Sequence, residues 1–160
     1  MRIVGVSGHR QIDEKKPGEL VEFARLFVAL SAADRIVTGM AIGWDLAVAQ
    51  ACHELGIPYT AAVPCIDQPS EWTLRDRKHW TWLMNQADRV IYVSTEHERD
   101  AYEKRNRWIV DNSGAMSILL EPGRERSGTG RCALYADRRG RIITPLWDRW
   151  KRFQQIRSNL

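Results

Sequence analysis

The sequence predicts an α/β protein of Rossmann-like, doubly wound type, with a mainly parallel sheet and helices on both faces. Short β-branched apolar runs alternate with stretches of 3- and 4-residue apolar spacing, the pattern of βαβ units. The strand runs are mostly uninterrupted rather than alternating, as expected of strands covered on both faces. Glycines fall directly after strands and at helix starts, where a parallel sheet offers its ligand sites.

Residues 2–7 (RIVGVS) form the first expected strand. A helix follows Pro17-Gly18, with Leu20, Phe23, Leu26, Phe27 and Leu30 on one face. Residues 35–38 (RIVT) read as a strand and 44–55 (WDLAVAQACHEL) as a helix, closed by Gly56 and Pro58. Then come a strand at 58–64, a helix opened by Ser70 and Glu71 and running to about Asn85, and a strand at 89–94. A helix from about 98 to 112, a strand at 115–120 and a helix at about 129–138 follow. A short strand at 141–144 and a helix at about 145–158 end the chain. With right-handed crossovers the expected strand order is 3-2-1-4-5.

The 160 residues are the size of one domain, and no linker or repeat divides them. No stretch approaches the ~20 apolar residues of a membrane span, so no membrane partner is expected. Cys52, Cys65 and Cys132 are odd in number and lack C-x-x-C spacing. That speaks against a disulfide framework or a zinc site and for a reducing cytoplasm. No metal is expected, and His53, His79 and His97 make no ligand spacing. Residues 121–160 carry ten Lys/Arg against four Asp/Glu, whereas residues 1–120 carry fourteen against sixteen. The basic end is either a solvated Arg-rich helix or a surface for nucleic acid. Seven tryptophans supply core or interface anchors and suggest a homodimer.

Ligands of such sheets sit beyond the carboxyl ends of the strands. After the first strand, Gly8 allows a tight turn, His9 titrates near neutrality, and Arg10 can pair with a phosphate or simply face water. After the second, Thr38-Gly39-Met40-Ala41-Ile42-Gly43-Trp44-Asp45 sets two glycines at a helix start, suited to a pyrophosphate. The segment is neither G-x-G-x-x-G nor a Walker A loop, since no G-K-[ST] follows. Asp45 either caps the helix or meets a ribose hydroxyl. Pro64 and Gln68 follow the third strand, and Trp72 can stack on a base; Ser94 follows the fourth. Arg105, Asn106 and Asp111 belong to the next helix, where Arg105, Trp108 and Asp111 can share one face for a planar charged ligand or a buried ion pair. Ser127-Gly128-Thr129-Gly130 is a second anion cradle or a flexible hairpin tip.

Together the segments S-G-H-R (7–10), T-G-M-A-I-G-W-D (38–45), L-G-I-P (55–58), A-V-P-x-x-x-Q (62–68), A-D-R-V (87–90), R-N-R-W-I-V-D (105–111) and S-G-T-G (127–130) resemble the YpsA-like branch of the SLOG superfamily. That superfamily includes DprA and the LOG (lysine-decarboxylase-like) proteins. The resemblance spans residues 3–145 and implies a bound nucleotide or nucleotide-derived ligand at these positions; no other cofactor is implied. LOG enzymes carry P-G-G-x-G-T-x-x-E, whose Glu serves cleavage of a nucleoside monophosphate. Here an insertion separates Pro122-Gly123 from Gly128-Thr129, and Cys132 stands where the Glu would be. No catalytic residue is therefore assigned. A nucleotide-binding sensor or regulatory protein is the leading expectation. The alternatives are a hydrolase acting on an N-glycosidic or phosphate linkage and a DprA-like single-strand nucleic-acid binder.

Overall fold

The computed structural model describes residues 1–95 and 99–160. Strands β1 (Ile3–Gly8), β2 (Arg35–Thr38), β3 (Tyr59–Val63), β4 (Arg89–Tyr92), β5 (Ala115–Leu119) and β6 (Ile142–Pro145) form one parallel sheet. Helices α1 (Glu19–Leu30), α2 (Trp44–Leu55), α3 (Leu74–Gln86), α4 (Ala101–Asp111), α5 (Gly128–Arg138) and α6 (Trp147–Ser158) alternate with them. The architecture is the Rossmann-like α/β arrangement expected. His97 and the expected helix start at 98 lie outside the described residues.

The strand order is β4-β3-β2-β1-β5-β6, which corrects the expected 3-2-1-4-5. No residue of β4 is fully buried, and Arg89 and Tyr92 at its ends are exposed; such a strand belongs at an edge. All five residues of β5 are buried, so it takes the central place beside β1. The chain therefore reverses direction between β1 and β5, and the switch-point crevice opens at their carboxyl ends.

Two cores result, one on each face of the sheet. Val4, Val6, Phe23, Trp44, Leu83 and Trp150 belong to the core under α1, α2, α3 and α6. Ile109, Val110, Met116, Ile118 and Cys132 form the other, under α4 and α5. Helix α3 starts four residues later than expected, because Thr73, not Ser70, accepts the Asp76 amide at 3.2 Å. The β-region backbone of Thr73 suits an N-cap.

Helix α6 is built into the structure. Trp150 is wholly buried, with ring centroids 5.4 Å from Phe23 and 6.2 Å from Phe153. Gln154 Nε2 donates to Asp13 O at 2.9 Å and to Glu19 Oε2 at 3.0 Å, and Arg157 pairs with Glu22. Much of the tryptophan excess goes inward: Trp44, Trp80 and Trp150 are buried, and Trp82 alone is counted among the exposed large hydrophobics. No described helix is long and apolar enough to cross a membrane.

Candidate anion-binding cleft

A cavity of about 450 Å³ opens at the switch point, between the loops after β1 and β5 and the first turns of α4 and α5. The β1 strand ends there because Gly8 must pass Trp44: a Cβ on Gly8 would come within 2.5 Å of the indole. His9 then turns inward and is buried, and its Nε2 accepts the Glu121 amide at 2.9 Å. Burial and the nearby Arg124 cation hold its pKa below the usual histidine value, against the pull of Glu121. Neutral His9 thus ties the β1 loop to the β5 loop.

Four arginines line the cavity: Arg10, Arg105, Arg124 and Arg131. Arg105 is buried, donates through Nη1 to Gly39 O, and gives Nε to Asn106 Oδ1 at 2.8 Å. Tyr102 presents its ring to two guanidinium groups, Arg10 at 4.9 Å and Arg105 at 5.6 Å from the centroid. Arg124 makes a 3.4 Å contact with Glu121, and Arg131 a 3.8 Å contact with Glu103; both are surface pairs of small energetic weight.

Among the described residues, Asp45 is the only carboxylate lining the cavity. It lies in the first turn of α2 and is 5% exposed. Its Oδ2 accepts the Ala41 amide at 3.4 Å, whereas its Oδ1 has no hydrogen-bond partner among the described residues. Burial lifts its pKa from 3.8 to about 6, restrained by Arg105, the Ala41 amide and Arg10. Burial lowers that of Arg105, against the opposing pull of Asp45. An arginine remains charged regardless, so the cleft is strongly positive with one carboxyl that titrates near neutrality.

The N-terminus of α5 completes the wall. Ser127 caps it, accepting the Gly130 amide at 3.1 Å, and Gly128 and Thr129 line the cavity. Gly130 is needed for close approach, since a Cβ there would sit 2.0 Å from Glu125 O. The helix dipole adds positive potential at this end.

Of the residues singled out in the sequence, Gly8, His9, Arg10, Asp45, Arg105, Asn106, Gly128 and Thr129 are brought together around the cavity. Gly130 shapes its wall. The turn after β2 does something else. Gly43 (φ +90°) packs its backbone on the β1 loop, where a Cβ would meet His9 O at 2.5 Å, and the Trp44 amide donates to that same oxygen at 3.3 Å. The α2 terminus is thus partly occupied by protein. Gly39 lets Arg105 and Asp45 close on it, with a Cβ predicted 2.5 Å from Arg105 Nη1 and 2.8 Å from Asp45 Oδ2. Thr38 Oγ1 donates to Asp45 O at 2.9 Å, and Met40 lies in the core with a φ of +61°.

Pro64, Gln68, Trp72 and Ser94 lie outside the cavity lining. Gln68 braces the β2 turn, donating to Gly39 O at 3.0 Å and accepting from Trp80 Nε1 at 2.9 Å. The Ser94 amide donates to Pro64 O at 3.0 Å, and Trp72 packs against the core. Asp111 is at the far end of α4, ~9 Å along the axis from Arg105 at 1.5 Å per residue. There it accepts from Tyr135 Oη and Arg139 Nε, each at 3.0 Å.

Sequence reasoning missed Tyr102, Arg124 and Arg131 as cavity residues. Tyr102 stands three residues before Arg105, on the same face of α4, a signal that was present. Arg124 and Arg131 flank the β5 loop, whose position beside β1 depends on the strand order. The Cys132 thiol is buried, and burial pushes its pKa up to about 11.

No protein-family model and no curated protein sequence matches the chain. Solved structures do resemble it. DprA from Streptococcus pneumoniae superposes with a TM-score of 0.67 at 19% identity, over 90% of this chain and 50% of that one. DprA from Helicobacter pylori, described with a single-stranded DNA binding mode, gives 0.65 at 17%, over 90% and 64%. The molybdenum cofactor carrier protein of Chlamydomonas reinhardtii gives 0.58 at 16%, over 99% and 86%. The chain thus spans between half and two thirds of the two DprA chains. The shared feature is the Rossmann-like fold.

Proposed function

We propose that the protein binds a nucleotide or nucleotide-derived ligand in the switch-point cleft and acts as a sensor or regulatory protein. One observation carries this reading: four arginines and a helix N-terminus line a cleft that holds, among the described residues, one buried carboxyl, Asp45, whose Oδ1 has no hydrogen-bond partner among them. Phosphate oxygens suit Arg10, Arg105 and the α5 terminus, and a ribose hydroxyl suits Asp45 Oδ1. Placement in the SLOG superfamily, in its YpsA-like branch, is part of the reading; the ordered motifs and the likeness to DprA support it. The Cys132 thiol cannot supply a carboxylate, so LOG-type release of a free base is not expected. A hydrolase using this cleft would depend on Asp45.

Mass spectrometry of small molecules released from the purified protein, followed by calorimetry with the nucleotide found, tests the reading. Saturable binding that falls with Arg10→Ala supports it. Absence of any nucleotide in the extract, and of heat with mono- and dinucleotides, refutes it.

A second reading, single-stranded nucleic acid, is favoured by the DprA neighbours and by a depression beside the cleft. Arg124, Trp147 and Lys151 line that depression together with the carboxylates of Asp13 and Glu121, and the Lys151 Nζ lies 5.8 Å from the centroid of the Trp147 ring. A multi-phosphate partner gives a steep salt dependence and a mononucleotide a shallow one. The reading includes a cytoplasmic, reduced setting, supported by three free buried cysteines. It also includes a homodimer, supported by the open edge strands with exposed Tyr92 and Ile142; light scattering tests the dimer.

A further inference from the structure

A second cavity, of about 580 Å³, lies away from the cleft, between α1 and α6 over the outer face of β5 and β6. Its walls are apolar: Leu26, Phe27 and Leu30 of α1 face Phe153 and Ile156 of α6. Three of these stay wet, with Leu26 45%, Leu30 73% and Ile156 57% exposed. Single exposed leucines are ordinary, but three converging on one concavity form a patch that asks for an occupant.

The charges around this cavity have one sign. Arg2, Arg149 and Arg152 line it and, among the described residues, no carboxylate does; Asp34 outside the lining accepts the Arg2 backbone amide at 2.6 Å. Arg149 and Arg152 form no ion pair among the described residues. Arg2 gives its Nε to Ser31 O at 3.0 Å, and its side chain forms no ion pair among the described residues. The floor is polar where a helix-covered strand ordinarily carries Val or Ile. Ser117 is 5% exposed, pairs in register with Thr144 on the neighbouring strand, and both line the cavity. Neither hydroxyl has a hydrogen-bond partner among the described residues. Both hydroxyls therefore face the groove, open to a hydrogen bond from whatever fills it.

We propose that this groove is a second ligand site, for an amphipathic organic carboxylate whose apolar body carries a hydroxyl or carbonyl oxygen. The rim arginines hold the carboxylate, the body lies between α1 and α6, and the oxygen meets Ser117 and Thr144 on the floor. The cavity volume is of the size of small-molecule sites, ~300–1,000 Å³. A two-fold contact with a second copy would set each arginine triplet against its own mate, which like-charge repulsion opposes.

The test uses the whole chain, with anilinonaphthalenesulfonate as a fluorescent reporter displaced by dodecanoate, ω-hydroxydodecanoate, dodecanol or dodecylamine. Displacement by the carboxylates is expected to saturate at one site and to be tighter than that by dodecanol or dodecylamine by about tenfold, the scale of one charge-assisted contact. The hydroxylated acid is expected to bind tighter than dodecanoate, and Ser117→Val to erase that preference. Arg149→Glu/Arg152→Glu, changed at exposed positions, is expected to weaken both acids about tenfold without lowering the melting temperature. A nucleotide filling the cleft leaves all of this unchanged. Equal affinity for dodecanoate and dodecanol overturns the assignment. So does an unchanged affinity in the double-Glu variant, or a dimer that forms through this face and excludes both acids.

Discussion

Replacing Asp45 by Asn probes the one feature of the cleft that is held against its own stability. The carboxyl is nearly buried at the wall of the cleft, and burial lifts its pKa from 3.8 to about 6. A rise from 3.8 to about 6 corresponds to about 3 kcal/mol, at ~1.4 kcal/mol for each tenfold change in proton affinity. The folded state holds this proton more tightly than the unfolded chain. The stabilisation is therefore complete below about pH 4 and is lost as pH rises through about 6. Asn is neutral at every pH and similar in shape. The unfolding free energy of the wild type minus that of Asp45→Asn is thus expected to fall by about 3 kcal/mol between about pH 4 and pH 8. His9 titrates the other way. Burial depresses its folded pKa, so its contribution is present above about 6.5 and fades as pH falls, but it is common to both proteins and cancels in the difference. Urea unfolding followed by tryptophan fluorescence across this range measures the difference. A value constant to within about 1 kcal/mol would refute the burial argument. A phosphate bound beside the carboxyl raises its proton affinity further. Binding near neutral pH is therefore expected to take up protons, read as a dependence of the calorimetric heat on buffer ionisation.

Arg10 is exposed, so Arg10→Ala is expected to leave stability unchanged while weakening nucleotide binding by about 2 kcal/mol in calorimetry; Arg10→Lys restores only part if the contact is bidentate. Gly39→Ala drives a methyl group against Arg105 and Asp45, whereas a Cβ on Gly128 meets nothing within 4 Å. The first is expected to reduce affinity more than about tenfold and the second less than threefold by the same measurement. Burial pushes Cys52 to about 12, and Cys65 and Cys132 to about 11. Iodoacetamide is thus expected to label none of them in the folded protein and all three in denaturant, as intact mass will show.

The alternation of elements was legible because each strand and helix carries its own period, and local sequence alone sets that period. Residues 44–55 read as a helix closed by Gly56, and that is the helix observed. Gly8, Arg10, Arg105 and the 127–130 turn were legible as cleft material by their place after strands or at helix starts. The strand order was not, although the weak burial of β4 was visible in Arg89 and Tyr92. Which strand lies beside β1 depends on competition among all six for the buried centre of the sheet. That outcome decides the rest: it puts the β5 loop next to β1 and so brings Arg124 and Arg131 to the cleft. It leaves Gln68 and Trp72 outside the cavity, and the length of α4 leaves Asp111 at its far end. Sequence by itself determined the element types and the glycine and arginine inventory of the loops. The tertiary structure decided that Asp45 is buried with one oxygen unpaired among the described residues, that Gly43 packs on backbone, and that α6 docks on the core through Trp150. Each of these depends on which distant surfaces meet, and no local window of the chain contains that information.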